Sequence, residues 1–226
     1  MNDISKSMFA SNWAGILLLA TSPAISHAAD CKLDQGIQQA TVDQIAEYFT
    51  SLDKRVVTFV GYSGAGYEDR KAMLTEAEKV LEELDPEGTI VNIGATPDGI
   101  GAVYELAVQH GFVTTGIVST QAQEHDARIS SCVGHVFYVE DEAWGGFIDG
   151  GKRLSPTSAA MVAVSDLMVG IGGGEVARDE LLSAKSEGRE VRFIAADMNH
   201  AIASEKAAKR GLPGPTDFSG AASKAL

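Results

Sequence analysis

The sequence predicts a three-layer α/β fold, a doubly wound and mostly parallel sheet with helices on both faces. Three observations carry this. Short runs of about five apolar residues alternate with amphipathic stretches of ten or more, as in Thr89 to Ile93 followed by Ile100 to Gln109. The runs are apolar throughout and do not alternate, which means burial on both sheet faces. Glycine clusters follow several of the runs, as expected where a strand turns tightly into a helix.

Taken in order, Thr41 to Leu52 reads as a first helix, because Thr41-x-x-Gln44 forms a capping box and Ile45, Tyr48, Phe49 and Leu52 share a face. Strand patterns follow at Val56 to Gly61, Thr89 to Ile93, Val113 to Val118, Val136 to Val139, Leu167 to Ile171 and Val191 to Ala195. Between them, helical patterns occupy Glu68 to Leu84, Ile100 to Gln109, Gln121 to Ile129, Ser155 to Val164 and Glu175 to Ser186, and a last helix runs from Ile202 to Lys209. Right-handed crossovers make such a series doubly wound and Rossmann-like. The expected division is a signal peptide at 1–28, a helical segment at 29–54, the Rossmann-like domain at 55–211 and a flexible tail at 212–226, rich in Pro, Gly and Ser.

Trp13 to Ala20 is apolar and leads to Ser26-His27-Ala28, a small-x-small cleavage site. Export, with a periplasmic destination, is therefore expected; without a working leader the chain would be cytoplasmic. The apolar run is too short for a stable membrane span. Cys31 and Cys132 either pair, tying the mature N-terminus to the domain, or remain separate thiols. A net charge of -13 argues against nucleic-acid polymers and anionic membranes as partners. The five histidines lack zinc-ligand spacing and the two cysteines form no CxxC, so no metal and no cofactor is expected.

In an open parallel sheet, ligands sit where strands end and helices begin. Three turns there are glycine-rich: Gly61-Tyr62-Ser63-Gly64-Ala65-Gly66, Gly94-Ala95-Thr96-Pro97-Asp98-Gly99-Ile100-Gly101, and Gly172-Gly173-Gly174-Glu175. Glycine lets backbone N–H groups approach an anion, and the helix that follows aims its free N–H groups at it. The expected ligand is a small phosphorylated molecule of nucleotide type. Its binding residues are Gly61, Ser63, Gly64, Gly94, Thr96, Asp98, Gly99, Gly172, Gly173, Gly174 and Glu175. Asp98 serves either a ribose or a helix cap. Trp144 and Phe147, in a glycine-rich loop on the same edge, either stack on a base or pack on the domain.

The stretch Ile93-Gly94-Ala95-Thr96-Pro97-Asp98-Gly99-Ile100-Gly101, with Thr115-Gly116-Ile117-Val118, resembles the first half of the Lonely Guy (LOG), lysine decarboxylase-like proteins. Met161 to Gly174, followed by Asp179-Glu180-Leu181-Leu182, is similar to their second half. The likeness runs from about Val56 to Ala195, within a wider nucleotide-binding superfamily that includes molybdenum-cofactor carrier and DprA-like proteins. It implies a phosphate cradled at the third turn, hydrolysis of a nucleoside 5′-monophosphate by an Arg and a Glu, and a homodimer. The family's Pro-Gly-Gly-x-Gly-Thr-x-x-Glu departs here: Ile171 stands for the Pro, Glu175-Val176 for the Gly-Thr pair, and Asp179 for the Glu, or Glu180 one residue on. The family's Arg falls on Thr157, so Arg153 just upstream is the candidate replacement cation. Hydrolysis builds positive charge on the sugar, which needs a fixed carboxylate. With these groups altered, three readings follow: a nucleotide-binding protein without turnover, a divergent phosphoribohydrolase using Asp179 or Glu180 with Arg153, and a ligand-free structural or interaction protein.

Overall fold

The computed structural model describes Cys31 and residues 35–226; the expected leader at 1–28 lies outside the described residues. The elements are β1 (Gly36–Gln39), α1 (Val42–Leu52), β2 (Arg55–Gly61), α2 (Arg70–Glu82), β3 (Thr89–Ile93), a 3-10 turn (Gly99–Ala102) running into α3 (Val103–Gln109), β4 (Val113–Ser119), α4 (Gln121–Glu124) and β5 (His135–Val139). A hairpin of β6 (Phe147–Ile148) and β7 (Arg153–Leu154) follows, then α5 (Pro156–Val164), β8 (Leu167–Ile171), α6 (Glu175–Ser186), β9 (Glu190–Ile194), α7 (His200–Lys209) and a final 3-10 turn (Ala222–Lys224).

Seven strands form one sheet in the order β1-β5-β4-β3-β2-β8-β9, and every neighbouring pair in it is parallel. The fold is α/β, Rossmann-like and three-layered. On one face, α2 and α3 bury Met73, Leu81, Val103 and Tyr104 against Val57, Phe59 and Val91. On the other, α1, α5 and α6 bury Ile45, Phe49, Met161 and Leu181 against Val60, Ile90 and Met168. At about 1.5–3 kcal/mol for each fully buried large side chain, these two slabs supply the main stabilisation. The centre is not wholly apolar: buried Asn92 donates to Thr58 at 3.3 Å and accepts from Thr115 at 3.1 Å, lacing β2, β3 and β4 together. Chain direction across the sheet reverses at β2, which has β3 on one side and β8 on the other, and such a switch point opens a crevice at the strand ends.

Four local readings are corrected. The helical segment expected at 29–54 holds a strand as well as α1, because β1 pairs with β5 at the sheet edge, with Ile37 opposite Val136. The helix expected at Gln121 to Ile129 stops at Glu124, because Asp126 turns left-handed at φ 49 and Ala127 N–H closes back on Ala122 O at 2.8 Å. The hairpin β6–β7 interrupts what was read as loop. The 212–226 stretch is docked in part: Met198 N–H donates to Phe218 O, Ala222 N–H donates to Gly173 O, and Ala222 is fully buried. Cys31 and Cys132 are joined in a disulfide across 101 residues of sequence. Among the described residues, no helix is long and apolar enough to cross a membrane, and no group of three or more His, Cys, Asp or Glu could hold a metal ion.

Candidate functional site

A cavity of about 350 Å³ lies over the carboxyl ends of β2, β3 and β4. Its volume falls at the small end of the range for ligand pockets. The strand ends contribute Val60, Ile93 and Ile117; α5 adds Met161 and Thr157, and α6 adds Val176, Ala177 and Glu180. The loop after α4 brings Ala127, Arg128 and Ile129, and the loop before the hairpin brings Trp144. The walls are mostly apolar because β2, β3 and β4 carry apolar residues on both faces, and the inner helices α5 and α6 leave room above them.

The first two glycine turns meet at this cavity. Gly61 and Ser63 line it from the first, Gly94, Thr96 and Ile100 from the second. They also touch each other: Ile100 N–H donates to Tyr62 O at 2.7 Å. Gly99 sits in that contact at φ +59, where a Cβ would lie 2.0 Å from Tyr62 O, so no other residue fits there. Among the described residues, the backbone N–H groups of Ser63 and Thr96 donate to no protein acceptor.

The third turn behaves differently. Gly172, Gly173, Gly174 and Glu175 do not line the cavity. Gly173 O accepts from Ala222 N–H at 3.1 Å, and a Cβ on Gly220 would strike Gly173 O at 2.4 Å. The Tyr62 hydroxyl donates to Ser219 O at 2.8 Å and so pins the same tail. The C-terminal segment thus lies against Gly173, while Gly174 and Glu175 stay open, and of the three glycine turns two line this cavity. Glu175 is exposed in the first turn of α6, where an acid favours the helix dipole by about 0.3–1 kcal/mol.

Two charged residues line the cavity, and they occupy opposite environments. Arg128 is 74% exposed, and its Nη2 pairs with Asp98 at 2.9 Å. Asp98 caps no helix through its side chain; its partner is this arginine. Glu180 is only 5% exposed. Its Oε1 accepts from the Ser158 hydroxyl at 2.6 Å, and that hydroxyl in turn accepts from Gly146 N–H at 2.7 Å. Burial pushes the Glu180 carboxyl up to about 7; the Ser158 hydrogen bond opposes the rise and the neighbouring Asp179 adds to it. Glu180 is therefore poised near neutrality to give or take a proton.

The other expected catalytic residues are committed elsewhere. Asp179 accepts from Phe147 N–H at 2.8 Å and pairs with Arg178 at 2.7 Å. Arg153 pairs with Asp149 across the exposed β6–β7 hairpin and does not reach the cavity. Gly64 lies beside the cavity without lining it, and its carbonyl accepts from Lys206 Nζ at 3.0 Å. Asp141 caps α5 by accepting Thr157 N–H at 2.9 Å. Trp144 is half exposed at the cavity wall and stacks loosely on His125, ring centroids 5.7 Å apart. Phe147 begins strand β6, its N–H held by Asp179, and does not line the cavity.

Arg128 is not among the residues expected from the sequence, because a charged residue close to His125 and Asp126 carries no motif. What brings it to the cavity is the return of its loop, held by Ser130 N–H on Ala95 O at 2.9 Å, by Gln35 on Ser130 O at 2.7 Å, and by the disulfide at Cys132. The adjacent cysteine was the one sequence signal pointing there.

No family model matches the chain, and no curated protein matches it. Among solved structures, the chain is similar to two of the molybdenum cofactor carrier protein from Chlamydomonas reinhardtii. One is 16% identical over 73% of this chain and 90% of that chain, with a TM-score of 0.46. The other is 17% identical over 62% and 76%, with a TM-score of 0.44. It is also similar to DNA processing protein A (DprA) from Streptococcus pneumoniae, at 16% identity over 72% of this chain and 58% of that chain, with a TM-score of 0.42.

Proposed function

We propose that this chain binds a small phosphorylated molecule of nucleotide type in the cavity over β2, β3 and β4, and holds it without cleaving it. One observation carries the reading: two glycine turns, with N–H groups that meet no acceptor among the described residues, and a buried acid share the wall of a single, mostly apolar chamber. Apolar walls with a few fixed polar groups are the usual make-up of a small-molecule site. Turnover is not part of the reading because Asp179 is taken up by Phe147 and Arg178, and Arg153 pairs with Asp149 and does not line the cavity. The disulfide supports an oxidising compartment, in keeping with export. The test is thermal unfolding of the oxidised protein with increasing AMP, alongside chromatography for free adenine at protein concentrations near that of AMP. A rising Tm without adenine is expected; an unmoved Tm with every nucleoside monophosphate would refute binding.

A second reading is favoured by Glu180 alone. A carboxyl with its pKa pushed up to about 7 suits a general acid that protonates a leaving base. Under this reading adenine accumulates, and Glu180→Gln abolishes its release while AMP still raises the Tm.

A further inference from the structure

We infer that the ligand enters ring-first, a planar heterocycle lying deep against Glu180 and an anionic group remaining at the mouth beside Arg128. The inference rests on the binding reading above and adds the ligand's orientation and the chemistry of its inner end.

The cavity is electrically graded. Arg128, at 74% exposure, is its cation, and Glu180, at 5% exposure, is its acid. A phosphate placed beside Glu180 would lie in an apolar chamber next to a second acidic group, losing its hydration and gaining no countercharge. The Gly172–Glu175 turn itself does not line the cavity, and its Gly173 carbonyl is taken by Ala222 N–H. The mouth offers the reverse. Asp98 uses only Nη2 of Arg128; among the described residues Nη1 and Nε make no other hydrogen bond, and the N–H groups of Ser63 and Thr96 meet no acceptor.

The inner end suits a ring. Val60, Ile93, Ile117 and Met161 form apolar walls, and a thioether makes favourable contacts with an aromatic ring. Glu180 Oε1 is taken by Ser158, whereas Oε2 makes no hydrogen bond among the described residues. That oxygen is available to the hydrogen-bonding edge of a heterocycle. In its neutral form it donates to a ring nitrogen; ionised, it accepts from an exocyclic amine.

The experiment is calorimetric titration of the intact, oxidised protein with three probes: adenosine, AMP and ribose 5-phosphate. Adenosine and AMP are expected to bind, with ribose 5-phosphate at least about tenfold weaker than AMP. Arg128→Gln, at an exposed position, should weaken AMP by about tenfold and leave adenosine unchanged, the loss expected for one charge-assisted contact. Glu180→Gln should change adenosine and AMP by the same factor. The inference is overturned if ribose 5-phosphate matches AMP and gains affinity in Glu180→Gln while adenosine fails to bind, because the phosphate would then be the buried end. If none of the three probes binds, the binding reading falls and this one with it. If AMP binds in the reversed pattern, only the orientation falls.

Discussion

The first two glycine turns and the third end parallel strands on the same edge of one sheet, and their compositions are alike. Around the first two, the return of the 127–132 loop leaves a chamber lined by Gly61, Ser63, Gly94 and Thr96. Over the third, Ser219 to Ala222 come down on Tyr62 and Gly173, and the turn does not line this chamber. Glycine at a strand end therefore permits close approach, and the segment that arrives decides whether a ligand or the protein's own backbone makes it. In the first case a buried acid is left facing a cavity; in the second an exposed acid, Asp217, is tied into the covering segment by Lys224 at 2.8 Å.

The two regions should respond oppositely to pH, and this is the largest expected effect. The folded-state pKa of Glu180 is raised from 4.5 to about 7. Its neutral form thus contributes stability that is complete below about 4.5 and is lost as pH climbs through 7, about 3 kcal/mol in all. Urea unfolding of the wild type against Glu180→Gln, from pH 4.5 to 8, should show the wild type losing that amount relative to the variant. Parallel curves would mean that the chamber is wet enough to solvate the carboxylate. Asp217 runs the other way: hydrogen bonds from Lys224 and Ser219 hold its carboxyl below the ordinary range, so its contribution is present above that range and is lost in acid.

Removing residues 216–226 is the next test. It strips Ala222 from the core and takes the Ser219 carbonyl from the Tyr62 hydroxyl, a loss of about 2 kcal/mol by denaturant unfolding. AMP affinity should hold if the covered turn has no part in binding. A gain in affinity on truncation would instead make the tail a competitor for the site.

The smallest effects come from single methyl groups. A Cβ at Gly94 or at Gly174 meets no atom within 4 Å. Gly94→Ala should leave stability within about 0.5 kcal/mol and weaken AMP severalfold, because the new methyl group stands on the cavity wall. Gly174→Ala should cost about 1 kcal/mol or less, as a poorer N-cap, and leave AMP binding unchanged. Equal binding losses in both, measured by titration, would erase the distinction between the turns.

The contrast also marks where the sequence was legible. The strands Thr89–Ile93 and Leu167–Ile171 and the helix Glu175–Ser186 were readable to the residue, since apolar runs and helical faces are local patterns. Gly36–Gln39 was not, because it holds one apolar residue and owes its strand geometry to pairing with His135–Val139. Of the expected site residues, Gly61, Ser63, Gly94, Thr96 and Glu180 come to the cavity. Gly172 to Glu175 do not, and the contact of Gly173 with Ala222, some 45 residues downstream, is one that no local pattern reports. Arg153 was assigned by its place in a resemblance; the hairpin that takes it away is too short to leave a periodic signal.

Tyr62 joins these regions through a single side chain and its backbone. Its N–H donates to the Tyr67 hydroxyl, its carbonyl accepts from Ile100 in the second turn, and its hydroxyl holds Ser219. The 219–222 segment is therefore mechanically continuous with the cavity, one residue away in hydrogen bonds. Strain on that segment reaches the glycine rim through one tyrosine, so its seating and the shape of the cavity mouth are a single mechanical problem.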